Sequence, residues 1–268
     1  MRLLRAYWRL LRVIAHVLLG ALICLGTASL RAFRLPHGWF PHVVRWWYGR
    51  LCRMLGMTID TAGQPRNGML LVANHVSWLD IPVLGARAPV AFLSKAEIRS
   101  WPLIGWMAGL AGTLYIERGA HQAAELAAAI ADSIRHGRSV VIFPEGTTGT
   151  GHHLRRFHPR LFAAVQQPEL RVQPVAIRYG SNEMPDPVAP FVGDDSLVPH
   201  LWRVLRHPGL RVRVDFLPLM ETAGLDRRRL AERARGAIAD ALGETPDKAA
   251  TANAALVTSR SRRAGAPR

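Results

Sequence analysis

The stretch Met69–Asp80, MLLVANHVSWLD, constrains the fold of this chain more than any other. Met69–Ala73 is a short apolar run between Asn67-Gly68 and a polar cluster, the pattern of a buried strand. It leads directly into Asn74, His75, Ser77 and Asp80, so one strand end delivers an imidazole and a carboxylate together. Histidine titrates nearest neutrality, which suits it to take a proton from a hydroxyl. A carboxylate on its other ring nitrogen fixes the tautomer and stabilises the imidazolium. No nucleophile elbow surrounds Ser77, so the attacking hydroxyl is expected to come from the substrate. The same spacing also reads as a capping box, with Ser77 as N-cap and Asp80 in the first helical turn. The residues alone leave both readings open.

Strand and helix patterns alternate downstream. Val90–Leu93 predicts a strand, and Ser94-x-x-Glu97 a capping box opening a short helix with Lys95 in its first turn. A lysine there opposes the helix dipole and hints at a nearby anion. Trp101–Leu110 is apolar on all sides, either core or a lipid-facing lip. Leu114–Ile116 predicts a strand ending in Glu117-Arg118, where a guanidinium suits a phosphate or an ion pair. His121–His136 has helical spacing through Leu126, Ile130 and Ile134, and Gly137 stops it. Ser139–Phe143 predicts a strand running into Pro144–Gly151, whose glycines free the backbone for close approach to a ligand. No lysine follows them, so this is not a P-loop.

Val172–Ile177 predicts another strand, and Pro174 within it suggests an edge or a bulge. Residues 181–200 are Pro- and Asp-rich and read as a surface loop. Arg211–Leu217 alternates as a half-exposed strand, and Leu225–Leu242 as an amphipathic helix capped by Gly243. The alternation predicts an α/β fold over 58–243, with a mostly parallel central sheet flanked by helices. From Glu244 the sequence loses periodicity, and 244–268 reads as a disordered basic tail.

The first 57 residues read as a membrane-docking module. Arg2, Arg5, Arg9 and Arg12 share one helical face among apolar residues. Val13–Leu30 then runs without a formal charge, just long enough to cross a hydrocarbon core. Trp39, Trp46, Trp47 and Tyr48 lie among Arg45, Arg50 and Arg53, a composition suited to the lipid–water boundary. One span or a helical hairpin in one leaflet both fit, as does a buried core helix with an amphipathic partner. Basic flanks on both sides of the run give no orientation. The excess of 35 Lys+Arg over 19 Asp+Glu favours an anionic surface. No zinc-finger spacing or RNA-binding signature is present, so nucleic acid is not expected as a partner. Cys24 and Cys52 suggest no disulfide framework and fit a reducing compartment. The neighbouring His152 and His153 need not be a metal site, since two neighbours alone are a weak signal.

Asn74-His75-x-Ser77-x-x-Asp80 resembles the His-x4-Asp signature of the glycerolipid acyltransferases of the 1-acylglycerol-3-phosphate type. Gly112–Arg118, Phe143–Thr147 and Val172–Ile177 follow in that family's order. The resemblance implies transfer of a fatty acyl group from a thioester, on acyl carrier protein or coenzyme A, to a lysolipid hydroxyl. His75 would be the general base and Asp80 its partner. Asn74, Lys95, Arg118, Glu145, Gly146 and Thr147 would bind substrate, with backbone N–H groups near Gly146 at the oxyanion. No metal or cofactor is needed, and the enzyme would sit on the cytoplasmic side of the cell membrane. The expected acceptor is 1-acylglycerol-3-phosphate, giving phosphatidic acid. Many such members carry Arg where this chain has Thr148, and members resembling lyso-ornithine-lipid acyltransferases tend to have Thr, so lyso-ornithine lipid is the alternative acceptor. A non-catalytic protein that binds anionic lipid is the alternative of another class.

Overall fold

Residues 2–116, 123–166, 170–181 and 184–244 are described by the computed structural model. Arg118, Glu117 and the tail from 245 onward lie outside them. Seven strands form one sheet: β1 (Met57–Ala62), β2 (Leu70–Ala73), β3 (Val90–Lys95), β4 (Leu114–Ile116), β5 (Ser139–Ile142), β6 (Val172–Tyr179) and β7 (Leu210–Phe216). Their order is β1-β7-β6-β2-β5-β3-β4. Strands β2 to β6 are mutually parallel, while β7 runs antiparallel to β6 and β1 runs with β7. The expected mostly parallel α/β sheet is present.

Successive side chains of a strand point to opposite faces, and the two cores follow that period. Leu71, Ala73, Val141, Val175 and Ile177 pack with Leu79, Val83, Leu84 and Leu205 on one face. Helices α1 (Arg2–Ala32), α2 (Phe40–Met54), α3 (Asp80–Arg87) and α6 (Leu197–Arg206) contribute to that side. Leu70, Val72, Val140 and Ile142 pack with Ile130, Ile134, Leu230 and Ile238 on the other. There lie α5 (Ala123–Arg135) and α7 (Arg227–Leu242). Asp226 caps α7 by accepting from the Arg228 and Arg229 N–H groups at 2.9 and 2.8 Å, and Gly243 ends it at φ +70°. Glu244 does not open a free tail: its carboxylate accepts from the Leu154 N–H at 3.2 Å.

Four local expectations are corrected or narrowed. Strand β1 was not foreseen, because Met57 and Ile59 alone carry its apolar face and its pairing to β7 is remote in sequence. Pro174 sits inside the sheet rather than at an edge. Its C=O accepts from the Leu217 N–H at 3.0 Å, and the pairing resumes beyond it at Val172–Met220 one residue out of step, so of the two expectations the bulge is the one present. Ser94 belongs to β3 and caps nothing; a 3₁₀ helix, Ala96–Ser100, follows Lys95 without a side-chain cap. Residues 181–200 are not all loop, since Leu197 opens α6. Pro199 falls in its first turn, where a missing N–H costs no helical bond.

The N-terminal segment is part of the globule. α1 is one continuous helix, roughly 46 Å long at ~1.5 Å per residue. Its buried residues Ala6, Val13, His16, Gly20, Cys24 and Thr27 form one stripe. Gly20 is required by proximity: a Cβ there would lie 2.6 Å from both Trp47 and Met107. His16 and Trp47 stack at 4.9 Å, and the Trp47 indole N–H donates to the His16 carbonyl at 3.0 Å. Arg9 does not stay with Arg2 and Arg12 on the outer face. Its guanidinium donates to the carbonyls of His207 (2.6 Å), Pro208 (3.2 Å) and Leu205 (3.3 Å), the negative end of α6. Hydrogen bonds from a charged donor are worth roughly 1.5–3 kcal/mol each at most sites. Arg9→Met is therefore expected to lower unfolding stability by about 1–3 kcal/mol, measured by denaturant titration in detergent, and to speed proteolysis within α1.

Candidate active site

Strand β2 ends at the middle of the sheet, between β6 and β5. The chain has left β2 toward β3 and β4 on one side and returns through β6 on the other, so the carboxyl end of β2 opens at the point where strand order reverses. Such crevices are where open α/β sheets bind ligands. His75 stands there with its side chain 19% exposed, and Asp80 behind it is fully buried.

The geometry around Asp80 does not fit the capping reading. His75 Nδ1 lies 2.7 Å from Asp80 Oδ2. The same oxygen accepts from the Val76 and Ser77 N–H groups at 2.8 and 3.0 Å. The other oxygen accepts from the Tyr179 hydroxyl at 2.7 Å. The carboxylate thus receives donors only, which sets His75 as the tautomer with a proton on Nδ1 and leaves Nε2 to accept. Burial, with the Asp80 charge next to it, pushes the Tyr179 phenol well above its ordinary range, so it stays a donor. Ser77 caps no helix: its hydroxyl is buried and makes no hydrogen bond among the described residues. The helix opens without a side-chain cap, and the Asp80 carboxylate closes the turn that precedes it.

The Phe143 ring stacks on His75 at 4.0 Å and 16°, which holds the imidazole plane from the β5 side. Glu145 was expected to touch substrate but is buried and fully engaged: it accepts from the His75 N–H at 2.8 Å and the Arg155 N–H at 3.1 Å. Burial raises its pKa, against which those two N–H groups act. Asn74 is buried too: its amide donates to the Ile177 carbonyl at 2.9 Å and accepts from the Ile177 N–H at 2.7 Å, clamping β2 to β6.

Gly146 and Thr147 are exposed at the mouth, with Gly146 at φ +71°. The Gly146 N–H is already donated to the Phe143 carbonyl, so it is not an oxyanion donor. Lys95 is exposed at the end of β3, in register with Ile116. Arg118 lies outside the described residues.

Several contributors were not foreseen. Tyr179 lies two residues past the strand expected at Val172–Ile177, and a tyrosine at a strand's carboxyl end was the available signal. His200 is fully buried on α6. The Trp78 indole donates to its Nδ1 at 3.0 Å, so its Nε2 carries the proton and donates to the Pro190 carbonyl, also at 3.0 Å. The adjoining Phe191 N–H donates to the Val76 carbonyl at 3.0 Å, and the Thr148 hydroxyl donates to the Phe191 carbonyl. His200 thereby fastens the segment between His75 and Asp80 to a loop more than a hundred residues away.

A family model described as Acyltransferase matches residues 58–178. A lyso-ornithine lipid O-acyltransferase of Pseudomonas aeruginosa is 48% identical over 214 residues, 80% of this chain and 83% of that protein. The chain belongs to this acyltransferase family. A 1-acyl-sn-glycerol-3-phosphate acyltransferase of Neisseria meningitidis is 35% identical over 65% of this chain and 71% of its own. The crystal structure of the 1-acyl-sn-glycerophosphate acyltransferase of Thermotoga maritima shares the fold with a TM-score of 0.67 at 20% identity, covering 91% of this chain and 97% of that one.

Two predictions follow from the site. His75→Ala should lower turnover by roughly 10²–10⁴-fold with the fold intact by circular dichroism. Asp80→Asn should do the same, because Tyr179 can rotate its hydroxyl to accept from the new amide while the amide oxygen keeps the N–H bonds. The second concerns pH. Burial chiefly lowers the His200 pKa below its ordinary 6.5. The neutral form is held in the folded protein and the charged form is favoured when unfolded. Stability is therefore fully present above pH 6.5 and falls as the pH drops below it. Replacing His200 by Gln should flatten that acid limb in denaturant titrations between neutral pH and the lower pKa.

Proposed function

We propose that this chain transfers a fatty acyl group from an acyl carrier protein or coenzyme A thioester to the free hydroxyl of lyso-ornithine lipid. The single observation that carries the chemistry is the His75–Asp80 pair, with Nε2 left open at the carboxyl end of β2. The acceptor hydroxyl gives its proton to Nε2 as its oxygen attacks the thioester carbonyl. Asp80 stabilises the resulting imidazolium, and His75 returns the proton to the departing thiolate. The Thr147 and Thr148 N–H groups make no hydrogen bond among the described residues and are the donors we assign to the oxyanion. Thioester acyl transfer is downhill and needs neither metal nor redox cofactor. A non-catalytic lipid-binding protein would have no use for an imidazole whose tautomer is fixed by a buried carboxylate.

The acceptor is argued from Thr148 and from the 48% identity to the Pseudomonas protein against 35% to the Neisseria one. Thr148 is half-buried and spends its hydroxyl on the Phe191 carbonyl, so position 148 supplies no cation, and the basic side chains against this loop among the described residues, His158 beside Gly146 and Arg155 beside Gly149, come from the segment that follows. A zwitterionic amino-acid head group has a carboxylate for Lys95 and does not require that cation. The second reading is 1-acylglycerol-3-phosphate, favoured by the Neisseria relative and by Lys95 as a phosphate partner. The ratio of kcat/KM for the two acceptors, measured on the full chain, decides. We expect a ratio above about 10 in favour of lyso-ornithine lipid, since charge-assisted bonds are roughly twice as strong as neutral ones. A ratio below one transfers the assignment to 1-acylglycerol-3-phosphate.

We further propose that the enzyme docks in the cytoplasmic leaflet of the cell membrane. α1 is long and apolar enough to span. Its inner stripe, however, is committed to the globule, which lays it along the domain. Leu4, Leu11, Leu18, Leu22 and Leu25 are exposed along its outer side, and Trp39, Trp101, Ile104 and Trp106 are exposed elsewhere on the surface. Substituting Leu18, Leu22 and Leu25 together by Glu should release the protein to the soluble fraction without loss of fold. Retention after high-salt and carbonate washing would place the anchor elsewhere.

A further inference from the structure

Away from the catalytic centre, a cavity of about 720 Å³ opens between α2, the edge strand β1 and the end of α3. Its polar lining is His42, Arg45, Arg53, Arg87 and Thr58, without a carboxylate. Its apolar wall includes Trp46, Met57, Ile59 and Ala86. Arg45 and Arg53 are exposed and make no side-chain hydrogen bond or ion pair among the described residues. Arg87 donates one nitrogen to the Ile59 carbonyl at 2.7 Å, while its Nε is buried without a partner. Three guanidinium groups drawn from two helices thus converge on one concave surface without a protein anion to neutralise them.

Like charges held together this way repel one another and are stabilised by an anion whose oxygens bridge them. Guanidinium forks match phosphate oxygens bidentately. The wall beside them is apolar, so the ligand carries a hydrocarbon part. His42, Arg45, Trp46, Gly49 and Arg53 lie on the outward side of α2, the helix that opens beside Trp39 and carries Trp46, and the Arg50 guanidinium lies 5.3 Å from the Trp46 ring. That arrangement suits the head-group layer of a bilayer. The groove is not the acceptor site. β1 stands three strands from β2 in the sheet, about 14 Å at ~4.8 Å per strand, and neither His75 nor Asp80 lines it.

We infer that this groove binds the phosphate head group of an anionic membrane phospholipid, with the start of its acyl chain against Trp46 and Ile59. The inference rests on the proposed membrane docking and adds a discrete lipid site to it. The lipid is not consumed; it fixes the enzyme on anionic rather than zwitterionic membrane.

The test uses the full chain purified in neutral detergent. Arg45→Gln/Arg53→Gln is compared with Arg2→Gln/Arg12→Gln, which removes the same charge outside the groove. Binding to phosphatidylcholine vesicles, with and without phosphatidylglycerol, is measured by flotation. A juxtamembrane cation contributes enough for roughly a fivefold change in affinity. We expect the groove pair to lose about tenfold more affinity for phosphatidylglycerol vesicles than the control pair, with binding to pure phosphatidylcholine and acyl transfer in detergent unchanged. Short-chain phosphatidylglycerol should saturably change the tryptophan fluorescence of the wild type and not of the groove pair. Equal losses in both pairs would reduce the effect to diffuse attraction and overturn the site. So would inorganic phosphate, coenzyme A or an acidic acyl carrier protein saturating the groove more tightly than the short-chain lipid. If the wild type fails to bind any vesicle, the docking reading falls, and the short-chain titration alone then supports or overturns the groove.

Discussion

A fully buried carboxylate is the constraint on which this structure depends. An ion of that size loses several kcal/mol of hydration on entering a protein interior unless donors replace the water. Asp80 receives four: an imidazole N–H, two backbone N–H groups and a phenol. Each comes from an element that must be placed for it. The end of β2 supplies His75 and the turn after it supplies Val76 and Ser77. The end of β6 supplies Tyr179, and β6 is locked to β2 by the Asn74–Ile177 clamp. Removing any one donor leaves a buried charge short of a partner, so the geometry of the His75–Asp80 pair and the local stability are the same set of bonds.

Residues that look catalytic in the sequence therefore divide by burial. Asn74 and Glu145 sit in the motif blocks of the resemblance, yet both bond to backbone groups. They hold the strand ends at the spacing His75 needs. Gly146, Thr147 and Lys95 are the motif residues left facing solvent, and the acceptor is recognised there in the proposed mechanism. Specificity and scaffold share a motif without sharing roles.

Much of this was legible in the chain itself. Strands β2, β5 and β6 announced themselves as apolar runs, α7 through its period and its Gly243 cap, and the His75–Asp80 pair through its position after a strand. What stayed hidden depended on contacts between distant segments. β1 has too few apolar residues to stand out and exists because β7 pairs with it. Pro174 argued for an edge or a bulge, and only the pairing with β7 decides between them. His200 lay in a stretch whose prolines and aspartates signalled loop, although α6 begins at Leu197 and fills the space beside Trp78. Arg9 looked like one of four equivalent basic residues, and only the end of α6 singles it out.

The bond between Arg9 and the end of α6 joins residues 196 positions apart. At roughly 5–20 residues per second of synthesis, about 10–40 s separate the emergence of the two partners from the ribosome. Throughout that interval the Arg9 guanidinium lacks the α6 carbonyls, although α2 and its indoles follow α1 closely, and the outer leucines are bare as well. Under the proposed docking, a bilayer would cover the outer leucines of α1 before its inner side is completed by α6.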